Sequence, residues 1–134
     1  MVGMVLVSHS AGIAAGLKDL VEQLARGKVP VEAAGGTADG GLGTDAMAVA
    51  EAIRRANRGD GVVVLMDLGS AVLSTETALD FLPESWQEMV ALCDAPLVEG
   101  AVAASVEASL GSGLNEVKQA AEAARSLRKL APTT

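Results

Sequence analysis

Apolar residues along the chain fall into two kinds of pattern: short unbroken runs, and longer stretches in which they recur every three to four positions. Met4–Ser8 (MVLVS) is a β-branched run that stops at polar residues, which predicts a buried strand. Behind it Ile13, Leu17, Leu20, Val21 and Leu24 recur at helical spacing, and Gly27 stands where a helix C-terminus favours glycine. Val29–Ala34 predicts a second strand. Thr44 predicts the N-cap of a helix with the stripe Ala46, Val49, Ala50 and Ile53, ending before Asn57 and Gly59. Gly61–Met66 (GVVVLM) is apolar on both faces, the pattern of a strand in the middle of a covered sheet. Ser70 predicts the cap of a third helix, which carries Val72, Thr75, Leu79 and Leu82 and is ended by Pro83. A weaker strand, Met89–Cys93, precedes a helix with Val98, Val102 and Val106 in register that stops near Gly111. Leu114–Leu130 predicts one long final helix through Val117, Ala121, Ala124 and Leu127, after which Ala131–Thr134 is expected to fray.

Four strand–helix units in succession, with one extra helix, imply an α/β fold. The expected architecture is a mainly parallel four-stranded sheet with helices on both faces, joined by right-handed crossovers. Gly35–Gly43 (GGTADGGLG) holds too many glycines for a regular element and predicts an exposed loop. At 134 residues the chain suits one hydrophobic core, so residues 1–134 are expected to form a single domain. Hydrophobic residues make up 50% of the chain and aromatics 1%, so that core must be built from Ala, Val, Leu, Ile and Met. The net charge of −7, with scattered basic residues, argues against a nucleic-acid partner. Cys93 is the only cysteine, which leaves no intrachain disulfide. Met1–Ser8 lacks the basic start of a signal peptide, and no run approaches the ~20 apolar residues of a membrane span. A cytoplasmic protein without membrane attachment is expected.

The only histidine, His9, lies in Ser8-His9-Ser10, where the first strand meets the first helix. Ligands of open parallel sheets bind beyond the carboxyl ends of the strands, beside the point where the strand order reverses. With order 2-1-3-4 the first and third strands are neighbours, which brings Asp67, directly after the most buried strand, towards His9. A carboxylate that accepts from one ring nitrogen fixes the tautomer and leaves the lone pair of the other free for attack. Neutral imidazole is nucleophilic toward phosphorus, and the phosphoryl group it acquires carries about −2 near neutral pH. The N-terminus of the first helix is expected to stabilise that charge. Ser8 is a further candidate donor, and Ser10, Ser70 and Thr37 are the candidate phosphate-binding residues.

Plainer roles exist for the same residues: Asp67 tying down its loop, Ser70 as a helix cap, Cys93 as a small buried hydrophobe. The chain has no G-x-x-x-x-G-K-[ST] motif with which to bind ATP. Gly41–Ala46 matches G-x-G-x-x-A but follows a glycine-rich loop instead of closing the first strand–helix turn. A single histidine without a cysteine pair argues against zinc, and neither a metal nor a cofactor is expected.

Four blocks in order, VLVSHS (Val5–Ser10), LGTDA (Leu42–Ala46), MDLGSA (Met66–Ala71) and APLVEGA (Ala95–Ala101), resemble a known family. It is the phosphotransferase subunit of phosphoenolpyruvate-dependent dihydroxyacetone kinase, whose first domain is similar to mannose-type enzyme IIA. The resemblance implies a small α/β sandwich that pairs into homodimers, with His9 as the phosphorylated histidine and Asp67 as the acid that orients it. It implies the histidine phosphocarrier HPr as donor and, as acceptor, ADP held in the nucleotide-binding subunit of the kinase. Some members carry fused HPr-like and enzyme I-like domains; neither is found before Thr134, so HPr is expected to act in trans. Ile13, Leu42 and Leu68 are expected to form an apolar rim for docking. Within the relay the rival is a mannose-type sugar transporter component with the same His9 chemistry, and MDLGSA and APLVEG favour the kinase branch. Outside it stand a small-molecule binding module in which His9 only donates a hydrogen bond, and a receiver-like domain phosphorylated on aspartate. A receiver places an acidic cluster after its first strand, where this chain has Ser8-His9-Ser10.

Overall fold

The computed structural model describes residues 1–132. In chain order the elements are β1 (Gly3–Ser8), α1 (Ala11–Leu24), β2 (Val31–Gly35), α2 (Ala46–Ala56), β3 (Val62–Met66), α3 (Gly69–Leu79), β4 (Val90–Leu92), α4 (Leu97–Ser109) and α5 (Leu114–Ala123). Short 3₁₀ turns occupy Glu84–Met89 and Ala124–Ser126. The strands make one parallel sheet in the order β2-β1-β3-β4, as the alternation of patterns predicts. Period-two alternation sorts its side chains. Met4, Leu6, Val63 and Leu65 pack with Leu17 and Val21 of α1, Ala101 and Ala104 of α4, and Val117 of α5. Val5, Val7, Val64 and Met66 pack on the other face with Val49 and Ile53 of α2 and Ala71 and Ala78 of α3.

Small residues set the distance between layers. The buried side of α4 is Gly100, Ala101, Ala104, Ser105 and Ala108. A Cβ on Gly100 would lie 2.9 Å from both Ala95 Cβ and Leu65 Cδ2. The stripe expected to be buried is therefore turned outward: Val98 and Val106 are exposed and Val102 is half-buried. Bulk and hydropathy mark these valines as core, but α4 approaches the sheet closely enough that only Gly, Ala and Ser fit beneath it.

Other boundaries shift for identifiable reasons. Asp45, not Thr44, caps α2 by accepting from Met47 N–H. The Thr44 hydroxyl instead pairs with that of Ser74 on α3. α3 stops at Leu79, and the N–H groups of Asp80, Phe81 and Leu82 turn back to Thr77, Ala78 and Leu79 before Pro83 is reached. The predicted helix Leu114–Leu130 ends at Ala123, a 3₁₀ turn carries on to Ser126, and Leu127 is extended. Leu127 and Leu130 are exposed, so continuing the helix would bury nothing. Arg125 holds the end of this segment through the carbonyl of Asp94, and Lys129 through Glu99 at 2.6 Å. Of the residues expected to fray, Thr133 and Thr134 lie outside the described residues.

Candidate active site

β1 and β3 run side by side with Val7 opposite Met66, and the ladder is extended by Asp67 N–H donating to the Val7 carbonyl at 3.1 Å. One step further along both strands, Ser8 stands across from Asp67. The site is thus built where two neighbouring strands end.

Asp67 is its hub. Oδ1 receives the His9 ring through Nδ1 at 2.9 Å and the Leu68 N–H at 2.7 Å. Oδ2 receives the Ser8 hydroxyl and the His9 backbone N–H, each at 2.9 Å. Burial is the largest single influence on this carboxyl and favours its neutral form. The hydrogen bonds from His9, Ser8 and Leu68 together outweigh it and hold the group below its ordinary value of 3.8. An ionised carboxylate can only accept, so Nδ1 carries a proton, and in the neutral ring the lone pair is on Nε2. Nε2 faces outward, against the hydroxyl of Ser70.

The expected phosphate-binding residues separate here. Ser70 is not the cap of α3. It sits in the first turn with its hydroxyl on His9, while Leu68 occupies the N-cap position and makes no side-chain cap bond. Ala71 N–H turns back to the Leu68 carbonyl at 2.9 Å, which leaves the N–H groups of Gly69 and Ser70 for solvent or an anion. Ser10 caps α1, its hydroxyl accepting from Ile13 N–H at 3.2 Å, so the first helix, expected to supply the anion-stabilising terminus, is the one already capped. The Thr37 hydroxyl is committed within its own loop, donating to Asp39 and accepting from Gly41 N–H at 2.9 Å. The Thr37 hydroxyl first, then the Gly41 N–H that also donates to Asp39 Oδ1 at 3.2 Å, hold the Asp39 carboxyl below its usual range. The loop reaches the site through its backbone: Gly43 N–H donates to the His9 carbonyl at 2.8 Å. Gly43 has φ of +140°, and a Cβ there would lie 2.8 Å from Thr37 Cγ2. Glycine is required by both conformation and space. The sequence offers only the glycine cluster as a signal for this contact.

Ile13, Leu42 and Leu68 are all exposed, on α1, on the glycine-rich loop and before α3 respectively, together with Met47 at the start of α2. Beside Asp67 opens a cleft of about 470 Å³ lined by Met66, Leu68, Val72, Leu92, Cys93 and Ala95, among others. Burial pushes the Cys93 thiol up to about 12, so it stays protonated at neutral pH. Among the described residues no group of three or more His, Cys, Asp or Glu side chains is placed to hold a metal, and no helix is long and apolar enough to cross a membrane.

The model of the PTS system fructose IIA component family matches residues 3–118. A phosphoryl donor subunit DhaM of PEP-dependent dihydroxyacetone kinase 2 from Listeria innocua is 38% identical, over 89% of this chain and 95% of its own length. The DhaM subunit from Providencia stuartii is 43% identical over 92% of this chain. Here the chain spans only 27% of the relative's length, and against the Escherichia coli subunit, 42% identical, it spans 25%. A crystal structure described as unknown function protein EF1359 superposes with a TM-score of 0.82 at 40% identity, covering 92% of this chain and 95% of the other. Strand order, the paired His9 and Asp67 and these likenesses converge: the chain belongs to the mannose/fructose-type IIA family of the phosphotransferase system, on its DhaM-type branch.

Proposed function

We propose that this domain accepts a phosphoryl group on His9 Nε2 from HPr and passes it to ADP bound in the nucleotide-binding subunit of a dihydroxyacetone kinase, in the cytoplasm. The observation that carries the reading is the division of labour on the imidazole, with Nδ1–H held by Asp67 at 2.9 Å and Nε2 turned outward. The Nε2 lone pair forms the new N–P bond as the bond between phosphorus and the donor's ring nitrogen breaks. The electron pair of that bond returns to the donor. The His9 ring becomes cationic because it retains its Nδ1 proton, and the Asp67 carboxylate offsets that charge as it develops. Ser70 then donates to a phosphoryl oxygen in place of Nε2, and the uncapped start of α3 contributes about 0.3–2 kcal/mol toward the added negative charge. Ser10 and Thr37 complete the set of phosphate-binding candidates. Thr37 can donate to the group only by giving up its bond to Asp39, whereas the Ser10 hydroxyl accepts from Ile13 N–H and keeps its own proton for a phosphoryl oxygen.

Transfer between proteins requires in-line alignment and exclusion of water. Exposed Ile13, Leu42, Met47 and Leu68 supply apolar surface for both partners in turn. Pairing into a homodimer has support in the outward valines of α4, beside which α1 exposes Leu20 and Leu24. The reading is tested by incubating the protein with phosphoenolpyruvate, enzyme I and HPr and measuring intact mass at alkaline pH. One acid-labile phosphoryl group is expected on the wild type and none on His9→Ala. Adding the ADP-loaded kinase subunit should discharge it. Absence of any gain in the wild type would refute the carrier role.

A further inference from the structure

Ser8 is fully buried at the end of β1, in a strand that is otherwise apolar after its first glycine. A hydroxyl in such a place must be hydrogen-bonded or it costs stability. It is bonded twice. Its proton goes to Asp67 Oδ2 at 2.9 Å, and its oxygen receives Ser10 N–H at 3.1 Å. Ser8 therefore does not point at the phosphoryl position, the role open to it on sequence grounds. It stands behind the carboxylate, on the side away from Nε2.

We propose that Ser8 is a positioning residue: its hydroxyl fixes the Asp67 carboxylate so that Oδ1 faces His9 Nδ1, and through it sets the tautomer that exposes the Nε2 lone pair. Two features make the hydroxyl more than a space filler. Each carboxylate oxygen of Asp67 takes one backbone N–H, from Leu68 on Oδ1 and from His9 on Oδ2. The ring then occupies Oδ1 and Ser8 occupies Oδ2, so the ring's place is defined by the hydroxyl holding the other oxygen. Ser8 also couples the carboxylate to the start of α1, because the Ser10 N–H that it accepts belongs to the residue capping that helix. Removing the hydroxyl leaves Oδ2 with the His9 N–H alone, which loosens the carboxylate against the ring, and leaves the Ser10 N–H without its acceptor.

This inference rests on the carrier reading for its kinetic consequence but not for its structural one, and the test separates the two. In ¹⁵N-labelled protein at mildly alkaline pH, the ring nitrogen shifts of His9 should report one dominant tautomer, protonated on Nδ1. In Ser8→Ala they should move toward a mixture, and Ser8→Thr, which keeps the hydroxyl, should restore the wild-type pattern. The rate of His9 phosphorylation by phospho-HPr is expected to fall about 10-fold in Ser8→Ala and to return in Ser8→Thr. Ser8→Cys, close in size and a weak donor, stands in for the alanine variant should that fail to fold, and should show the same tautomer mixture. Wild-type tautomer populations in a folded Ser8→Ala or Ser8→Cys would overturn the proposal. So would a Ser8→Thr variant as impaired as Ser8→Ala, since packing and not the hydroxyl would then matter. A wild type that resists phosphorylation removes the carrier reading and leaves the tautomer measurement still decisive for Ser8.

Discussion

Asp67 makes an unusual demand on pH, because its carboxyl is at once screened from water and rich in donors. Its lowered value means that ionisation stabilises the folded state above the ordinary value of 3.8, and that this contribution is lost as pH falls through the folded value below it. Asp67→Asn lacks the contribution at every pH. Thermal melts of the two proteins should therefore differ at neutral pH and converge on acidification below the ordinary carboxylate range. The kinetic effect is larger, since an amide that presents its NH₂ to Nδ1 would stabilise the tautomer with Nε2 protonated and hide the nucleophile. Phosphorylation of His9 in Asp67→Asn is expected to slow about 100-fold or more, measured against phospho-HPr by intact mass. Wild-type rates in that variant would mean that the carboxylate serves only to hold its loop.

Elements meet at glycines around the site, and two of them can be told apart by experiment. A Cβ on Gly35, at the end of β2, would lie 2.6 Å from the Ser10 carbonyl and 2.9 Å from Ala14 Cβ, against the first turn of α1. A Cβ on Gly3, at the start of β1, would lie 2.1 Å from the Ala56 carbonyl at the far end of the sheet. Gly35→Ala and Gly3→Ala should each cost about 1–3 kcal/mol in chemical denaturation. Only Gly35→Ala, which displaces the residues flanking His9, should also slow phosphorylation of the protein that remains folded. Sheet order and the meeting of His9 with Asp67 were both legible in the sequence, because runs of Val and Leu mark strands and the order 2-1-3-4 makes neighbours of the first and third. The outward face of α4, the early end of α5 and the true caps of α2 and α3 were not. Those depend on how closely layers approach and on which hydroxyl a distant element claims, as Ser74 claims Thr44 and His9 claims Ser70. Thr37 was a candidate for its hydroxyl, yet the loop's own turn takes that hydroxyl up.

Among the described residues apolar side chains are exposed both around His9, where the proposed partners would come and go, and on the outer side of α4. Only the second suits a lasting contact, so Val102→Glu is expected to shift sedimentation from dimer to monomer while leaving the phosphorylation of His9 within a few-fold of the wild type. A wild type that sediments as a monomer would remove the pairing. The site also has a history in time. The imidazole and its carboxylate are 58 positions apart, and no element before β3 supplies a substitute for Asp67. A chain emerging from the ribosome therefore exposes its histidine long before it owns the acid that readies it. On the proposed carrier reading the nitrogen is readied only after β3 has been made and has docked beside β1, so the bond that equips the nucleophile doubles as a sign that these two strands have met, and shorter chains would draw phosphoryl groups out of the relay only slowly.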